Sequence, residues 1–467
     1  MSVTVKFLGA AGTVTGSKYL VRAPGVVILV DAGVFQGPRD WTDKNWIDFE
    51  KAAGCALNEI QAVLLTHAHI DHIGLLPRLR NFGLNCPVFC TAPTQQLAGL
   101  LLRDMGHLQE EEAEYRARKG YSRFHEPKPL YTEQDAVETL KLLKTAPIEK
   151  RIEVLPNVFA QWRVMGHIIG ACSINLEIGG KIITFSGDIG RYNVPILKDP
   201  EPQELGDLLL IESTYGDRNH PTIEIASELS NIINQTARRG GSVIIPSFAV
   251  GRAQLLLFYL RELKEKKLIP DLPIIVDSPM SQDATQIYLD NHPEYDGPAK
   301  DLLKRGIQPF MPPRLHFIQN REESKRLNAI HDPMIIISAS GMLSGGRILH
   351  HIFHRISSPL NTILFIGFQP DGSRGALLKS GIQEIHLFHQ RVRVRAQISE
   401  ISGLSAHGDL SELLRWCKAS LDISSKAPRQ VAIVHGEPDS AESFRLELKN
   451  RFGWNGFVAK YLEEITV

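Results

Sequence analysis

The segment T-H-A-H-I-D-H at residues 66–72 constrains this chain more than any other. It follows the apolar run A-V-L-L at 62–65, which reads as a buried strand, and it places His67, His69, Asp71 and His72 within six residues. Imidazole and carboxylate are good ligands for zinc-like divalent ions. In an extended turn His67 and His69 project to one side, while Asp71 and His72 reach a point a few ångströms away. That spacing suits two metal ions better than one. A polar strand-to-helix loop that merely contains three histidines is the competing reading, and so dense a cluster after a strand disfavours it.

The 467 residues exceed a typical single domain, so two domains are expected. Lys+Arg and Asp+Glu both total 52, so bulk charge does not point to nucleic acid, and any basic surface must be local. The five cysteines form no paired framework, and Cys86 and Cys90 lack the partner pair of a structural zinc site. They read as reduced thiols of a cytoplasmic protein. No export signal and no run of eighteen apolar residues is present, so no membrane partner is expected.

Short β-branched runs at 3–9, 18–22 and 26–33 predict strands, and the glycine-rich 9–17 between them reads as a turn, since it lacks the G-K-[ST] ending of a phosphate loop. Helical periodicity covers 94–119 and 132–144. Strands follow at 159–165, 173–178 and 181–186. Near residue 208 the rhythm changes to continuous apolar strands at 208–213, 242–248, 273–278, 334–340 and 362–367, mostly separated by helices. This pattern predicts a parallel sheet covered on both faces. The end of the chain adds R-V-R-V-R-A-Q-I-S-E-I at 391–401, a helix near 409–419 and a strand at 431–436.

Three further residues close strands: Asp31 after V-V-I-L-V, His167 in M-G-H-I-I-G-A, and Asp188 in F-S-G-D-I-G. A strand-terminal Asp taken alone is most often a turn former. Here their order after the histidine cluster matters. A two-metal site needs a bridging carboxylate, for which Asp188 is the candidate, and Asp31 would orient a metal-bound histidine. His350, His351 and His354 show no evident carboxylate partner, so a solvent-facing helix is expected there. His386 and His389 are read in the same way, and Cys172 is read as a small buried side chain.

H-A-H-I-D-H, the glycine-flanked His167 and S-G-D-I-G together resemble the metallo-β-lactamase fold, an αββα sandwich of the α/β class with a metal site at one edge. The resemblance extends to the β-CASP nucleases. It is carried by Glu212 in I-E-S-T-Y-G-D-R, His407 in S-A-H-G-D, His435 in I-V-H-G-E, P-S-F-A-V-G-R (246–252), S-A-S-G-M (338–342) and G-F-Q-P-D-G-S-R-G (367–375). Within that subfamily the chain is most similar to bacterial and archaeal relatives of the pre-mRNA 3′-end cleavage endonuclease. The resemblance implies a metallo-β-lactamase domain at 1–216 and 399–467, with a parallel-sheet β-CASP domain inserted at 217–398.

It also implies two Zn2+ ions per chain, one held by His67, His69 and His167, the other by Asp71, His72 and His435, with Asp188 bridging them. Asp71, His407, Glu212 and Asp31 form the implied catalytic set. The chemistry is hydrolysis of RNA by metal-hydroxide attack, leaving a 3′-hydroxyl and a 5′-phosphate. Endonucleolytic cutting is expected, with 5′-exonuclease activity as a second mode. His407, supported by Glu212, would protonate the leaving oxygen. Histidine at position 435 favours RNA, because the DNA-repair branch has an aliphatic residue there. Single-stranded RNA is the expected partner, and a homodimer is compatible with the resemblance. Ser338, Ser340, Gly341, Met342, Arg252, Arg347 and Arg374 are the implied substrate contacts; Arg391, Arg393 and Arg395 share one face of a strand and suit a groove lining or a solvated edge equally. No KH-type extension or ribonuclease J-type C-terminal domain is seen, so selectivity is expected in the groove between the domains or in a partner. The alternatives are a β-CASP DNA nuclease and a catalytically silent RNA-binding scaffold. Glyoxalase II-type thioester hydrolases and lactonases share HxHxDH but would lack the insert and the later histidine motifs.

Overall fold

The computed structural model describes residues 2–119, 127–367, 369 and 372–467. The chain folds as two compact units. The first comprises Met1–Asn193, Lys198–Asn219 and His407–Val467; the second comprises Val194–Leu197 and His220–Ala406.

The first unit is built on two seven-stranded sheets. One runs in the order Glu464–Thr466, Thr4–Phe7, Tyr19–Ala23, Val26–Val30, Ala62–Leu64, Val88–Cys90, Leu143–Thr145. Its early hairpins are antiparallel, and it becomes parallel from Val26–Val30 onward. The other runs Gly456–Val458, Gln430–Val434, Leu208–Glu212, Lys181–Phe185, Cys172–Ile178, Val158–Val164, Ile152–Leu155. The sheets meet face to face through Phe7, Val30 and Leu64 on one side and Ile174, Phe185 and Leu210 on the other. Strand Val158–Val164 alternates buried and half-buried residues, as a strand with one covered face must.

Leu208–Glu212 and Gln430–Val434 are buried along nearly their whole length because both of their faces are covered. Leu208, Leu210, Ala432 and Val434 face the partner sheet. Leu209, Ile211, Val431 and Ile433 pack under the helices Leu410–Ile423 and Pro438–Phe452 through Leu413, Trp416 and Phe444. This explains why L-L-L-I-E-S reads as a doubly covered parallel strand. It is one, but it lies between Lys181–Phe185 and Gln430–Val434 in the first unit.

The second unit carries a six-stranded, wholly parallel sheet in the order Leu315–Phe317, Ile274–Val276, Ile335–Ser338, Val243–Pro246, Thr362–Phe365, Gln397–Glu400. Ile244, Ile336 and Ile363 pack on helix Ile348–Arg355 through Ile348 and Ile352.

Three expectations change. The helix predicted over 132–144 ends at Leu140, since Leu143–Thr145 pairs with Val88–Cys90 and sheet pairing overrides the helical pattern. The 391–401 run is divided. Gln390–Arg393 forms a hairpin with Glu384–Leu387 that leaves Arg391 and Arg393 exposed, whereas Gln397–Glu400 joins the six-stranded sheet. His351 does not face solvent. It is 0% exposed, and its Nε2 lies 2.6 Å from Oδ2 of Asp277, itself 0% exposed. Asp277 is 74 residues away in sequence, so local spacing could not reveal it. Ser324 Oγ donates to the same oxygen at 2.6 Å, and Arg347 Nη1 donates to Oδ1 at 2.7 Å.

Replacing Asp277 with Ala strips three donors of their shared acceptor. The expected loss is about 3–5 kcal/mol of stability, the usual result of removing one partner of a buried ion pair, to be read by urea denaturation.

Candidate metal centre

The turn after strand Ala62–Leu64 presents the cluster, and helix Ile70–Ile73 follows at once, so Asp71 and His72 project from the first helical turn. Gly33 allows the neighbouring chain to pass against it. A Cβ on Gly33 would sit 1.6 Å from the Asp71 carbonyl oxygen. Asp31 and His435 each follow directly on a strand and adopt left-handed backbone (φ 56° and 48°), which L residues adopt at a cost.

Seven side chains converge in two groups. In the first, His69 Nδ1 lies 3.1 Å from His67 Nε2 and 3.0 Å from His167 Nε2. Asp188 Oδ2 is 3.4 Å from both His67 Nε2 and His167 Nε2. In the second, His435 Nε2 is 3.3 Å from Asp71 Oδ2, and Asp188 Oδ1 is 3.2 Å from His72 Nε2 and 3.7 Å from His435 Nε2. Asp188 thus turns one oxygen to each group.

The donor chemistry fits metal ions. Burial lowers the pKa of His67 and His167 and pushes His69 down to about 3, so the first group presents neutral imidazoles. Their ring nitrogens face one another across the cluster. Two ligands bound tetrahedrally at about 2.1 Å from one ion lie about 3.4 Å apart, close to the separations seen here. Asp188 Oδ1 is buried and makes no hydrogen bond, leaving a carboxylate lone pair aimed into the cluster. Burial alone would raise the pKa of Asp188, but the surrounding imidazoles hold it well below the ordinary range.

The supporting contacts set the tautomers. Asp31 Oδ1 accepts from the Thr66 backbone N–H at 2.8 Å. Its Oδ2 accepts from Thr66 Oγ1 and lies 2.8 Å from His72 Nδ1. With Nδ1–H committed to Asp31, His72 keeps its Nε2 lone pair for the cluster. Thr66 Oγ1 stands 3.1 Å from His67 Nδ1, and Thr214 Oγ1 stands 3.1 Å from His435 Nδ1 while donating to the His435 carbonyl. Ser17 Oγ lies 3.2 Å from His72 Nε2. Sequence reasoning gave no role to Thr66, Thr214 or Ser17. Thr66 and Thr214 adjoin motif residues, which was the available signal; Ser17 had none beyond its glycine-rich loop.

His407 joins from the other side. Its Nδ1 is 3.2 Å from both oxygens of Glu212, and its Nε2 is 3.9 Å from Asp188 Oδ2. Glu212 is fully buried and is itself held by the N–H groups of Ile189 and Thr214. Burial disfavours a charged His407, but the negative charges of Glu212 and Asp188 outweigh it and raise its pKa.

The residues expected to contact substrate lie in the second unit. Ser338 is buried and donates to the Asp277 carbonyl, so its hydroxyl is committed inward. Ser340 Oγ lies 3.0 Å from Ser344 Oγ. Gly341 is tight against Phe248, whose ring a Cβ would approach to 3.0 Å, and Met342 is half-buried. Arg374 donates to the carbonyls of Leu343 and Ser344, so with Arg347 it gives the 338–347 loop two guanidinium groups. Arg252 instead opens helix Arg252–Glu265. Phe368, Pro370 and Asp371 of the G-F-Q-P-D-G-S-R-G segment lie outside the described residues.

Family comparisons agree with this architecture. A metallo-β-lactamase superfamily domain matches residues 11–88, a β-CASP domain matches 253–378, and a Zn-dependent metallo-hydrolase RNA specificity domain matches 391–459. Ribonuclease TTHA0252 of Thermus thermophilus is 35% identical over 92% of both chains. The chain belongs to the β-CASP family of metallo-β-lactamase-fold hydrolases. It is a metal-dependent hydrolase. Transcription termination factor FttA of Methanosarcina mazei is 30% identical over 96% of this chain and 69% of its own length. A crystal structure of a protein of unknown function from Enterococcus faecalis V583 covers the whole chain at a TM-score of 0.55 and 13% identity, a likeness of fold alone. No helix among the described residues is long and apolar enough to cross a membrane.

In this β-CASP hydrolase, Asp31→Ala frees His72 to turn away from the cluster. Metal affinity should fall about 10- to 100-fold, as measured by competition with a chromophoric chelator.

Proposed function

We propose that this chain is a ribonuclease using two zinc ions to hydrolyse RNA endonucleolytically, leaving a 3′-hydroxyl and a 5′-phosphate. The observation that carries this reading is the division of Asp188, with Oδ2 toward His67 and His167 and Oδ1 toward His72 and His435. One ion would be held by His67, His69, His167 and Asp188, the other by Asp71, His72, His435 and Asp188. When bound, such a pair of ions would supply Lewis acidity, lowering the pKa of water toward 7 and neutralising charge on a phosphodiester.

The remaining work falls to the chain's own side chains. Asp31, Thr66 and Thr214 hold the ligand imidazoles in orientation, so they need not reorganise during the reaction. His407 is the proposed general acid. Its Nδ1–H is held by Glu212, leaving Nε2–H to be delivered to the departing 3′-oxygen. The raised pKa keeps that proton in place near neutrality, and loss of the proton above the raised pKa would end acid catalysis.

RNA as the substrate class is supported by the RNA specificity domain matching 391–459, by the ribonuclease name of the Thermus relative, and by histidine at position 435. For the phosphate backbone we propose Ser340, Gly341 and Met342 of the 338–347 loop, with Arg347, Arg374 and Arg252. The inserted 217–398 region and single-stranded RNA as partner belong to the same proposal.

His407→Ala should retain both ions by elemental analysis and lower turnover on a single-stranded RNA by at least about a hundredfold; unchanged turnover would remove the acid role. Glu212→Gln should lower the pKa of His407 and move the alkaline limb of the pH–rate profile to lower pH, whereas an unmoved limb would separate Glu212 from the proton transfer. With matched RNA and DNA strands, cleavage of RNA in preference to DNA is expected; the reverse overturns the substrate assignment.

A further inference from the structure

The first unit contains a second concave site that shares no lining residue with the histidine cluster. It is a cavity of about 330 Å³ bounded by the largely helical 35–50 segment, helix Leu76–Asn81 and Tyr461, a volume in the range of small-ligand sites. Its lining sets aromatic rings and cations against an aliphatic floor, with the carboxylates of Asp48 and Glu50 also on its wall. Phe35, Trp46, Phe82 and Tyr461 supply rings, and Lys44 and Arg78 supply charge.

The two cations are fixed on ring faces and are not tied up by carboxylates. Lys44 Nζ stands 3.4 Å from the Trp41 ring centre and 4.5 Å from that of Tyr461. The Arg78 guanidinium lies 4.9 Å from the ring centres of both Trp46 and Phe82. Neither makes an ion pair or hydrogen bond with another described residue. A cation–π contact fixes a cation without consuming its N–H donors, so these groups can still receive an anion. The acids beside them are engaged elsewhere. Asp48 caps the helix Phe49–Ala53, and Glu50 accepts from the Leu57 N–H. Asp40 acts on Lys44 only through its charge. Two of the rings also face outward, Trp46 at 43% exposure and Phe82 at 64%. Exposed aromatic faces beside unpaired cations are the elements that recognise a base and its phosphate.

We propose that this cavity binds a nucleoside monophosphate unit, with the base against Trp46 and Phe82 and the phosphate received by Lys44 and Arg78. The unit is either a free nucleotide or one residue of an RNA strand.

Calorimetric titration with adenosine monophosphate and uridine monophosphate tests it. Saturable binding is expected, with the parent nucleosides and inorganic phosphate each binding about tenfold more weakly or worse. Lys44→Met and Arg78→Met should each weaken monophosphate binding by about tenfold while thermal melting stays near that of the parent protein. Phe82→Ala, at the most exposed of these rings, gives a third weakened variant that leaves the core intact. Asp188→Asn should bind the nucleotide unchanged, because it alters only the histidine cluster. Absence of saturable binding overturns the proposal. So does binding that ignores all three cavity variants, that is lost in Asp188→Asn, or that octanoate matches. Displacement of the monophosphate by a short RNA assigns the site to a strand; failure to displace it assigns the site to free nucleotide. Loss of RNA cleavage with nucleotide binding intact would count against the proposed function and not against this site.

Discussion

Everything at the candidate metal centre depends on the Asp188 carboxylate, a single anionic group placed between two sets of imidazoles, one of which burial keeps from taking up protons freely. Ring nitrogens of the first group crowd to 3.0 and 3.1 Å of one another, and Asp188 Oδ2 faces two of them. Such a cluster is electrostatically unfinished without cations. The fold bears that cost because sheet and helix hold the ligands from behind. Asp31 and the two threonines are as much part of the centre as the residues that face its interior.

The fold positions these groups by a common device. His67, His167, Asp188, Glu212 and His435 each lie at or just beyond the end of a strand in one of the two packed sheets. A strand whose hydrogen bonds and inner face are both satisfied is rigid, so the residue that terminates it is placed with little freedom. Left-handed backbone at Asp31 and His435 turns the chain sharply at the point of use. Local strain at those two residues is carried by the continuous apolar strands behind them.

The convergence of these residues was readable beforehand because they sit in dense or glycine-flanked settings that sequence displays directly. The burial of Leu208–Glu212 was legible as an apolar run, yet its sheet was not, since a doubly covered strand looks alike in either unit. Residues 143–145 carried helical spacing, and only their pairing with Val88–Cys90 decides otherwise. His351 shows the limit most clearly. Its partner Asp277 is brought to it by the parallel sheet and not by any local pattern, and that contact turns an apparently solvent-facing histidine into a core one. At Ser338 the sequence displays the hydroxyl but not its partner, the backbone carbonyl of Asp277.

The two halves of the centre differ in how much chain each requires. The group formed by His67, His69, His167 and Asp188 is complete within the first 188 residues, whereas the group formed by Asp71, His72 and His435 needs a residue from the strand Gln430–Val434. The first group draws all its residues from less than half of the sequence, and the second is assembled only where the late strand Gln430–Val434 pairs beside Leu208–Glu212. The later group therefore depends on a long-range pairing of strands that the earlier group does without.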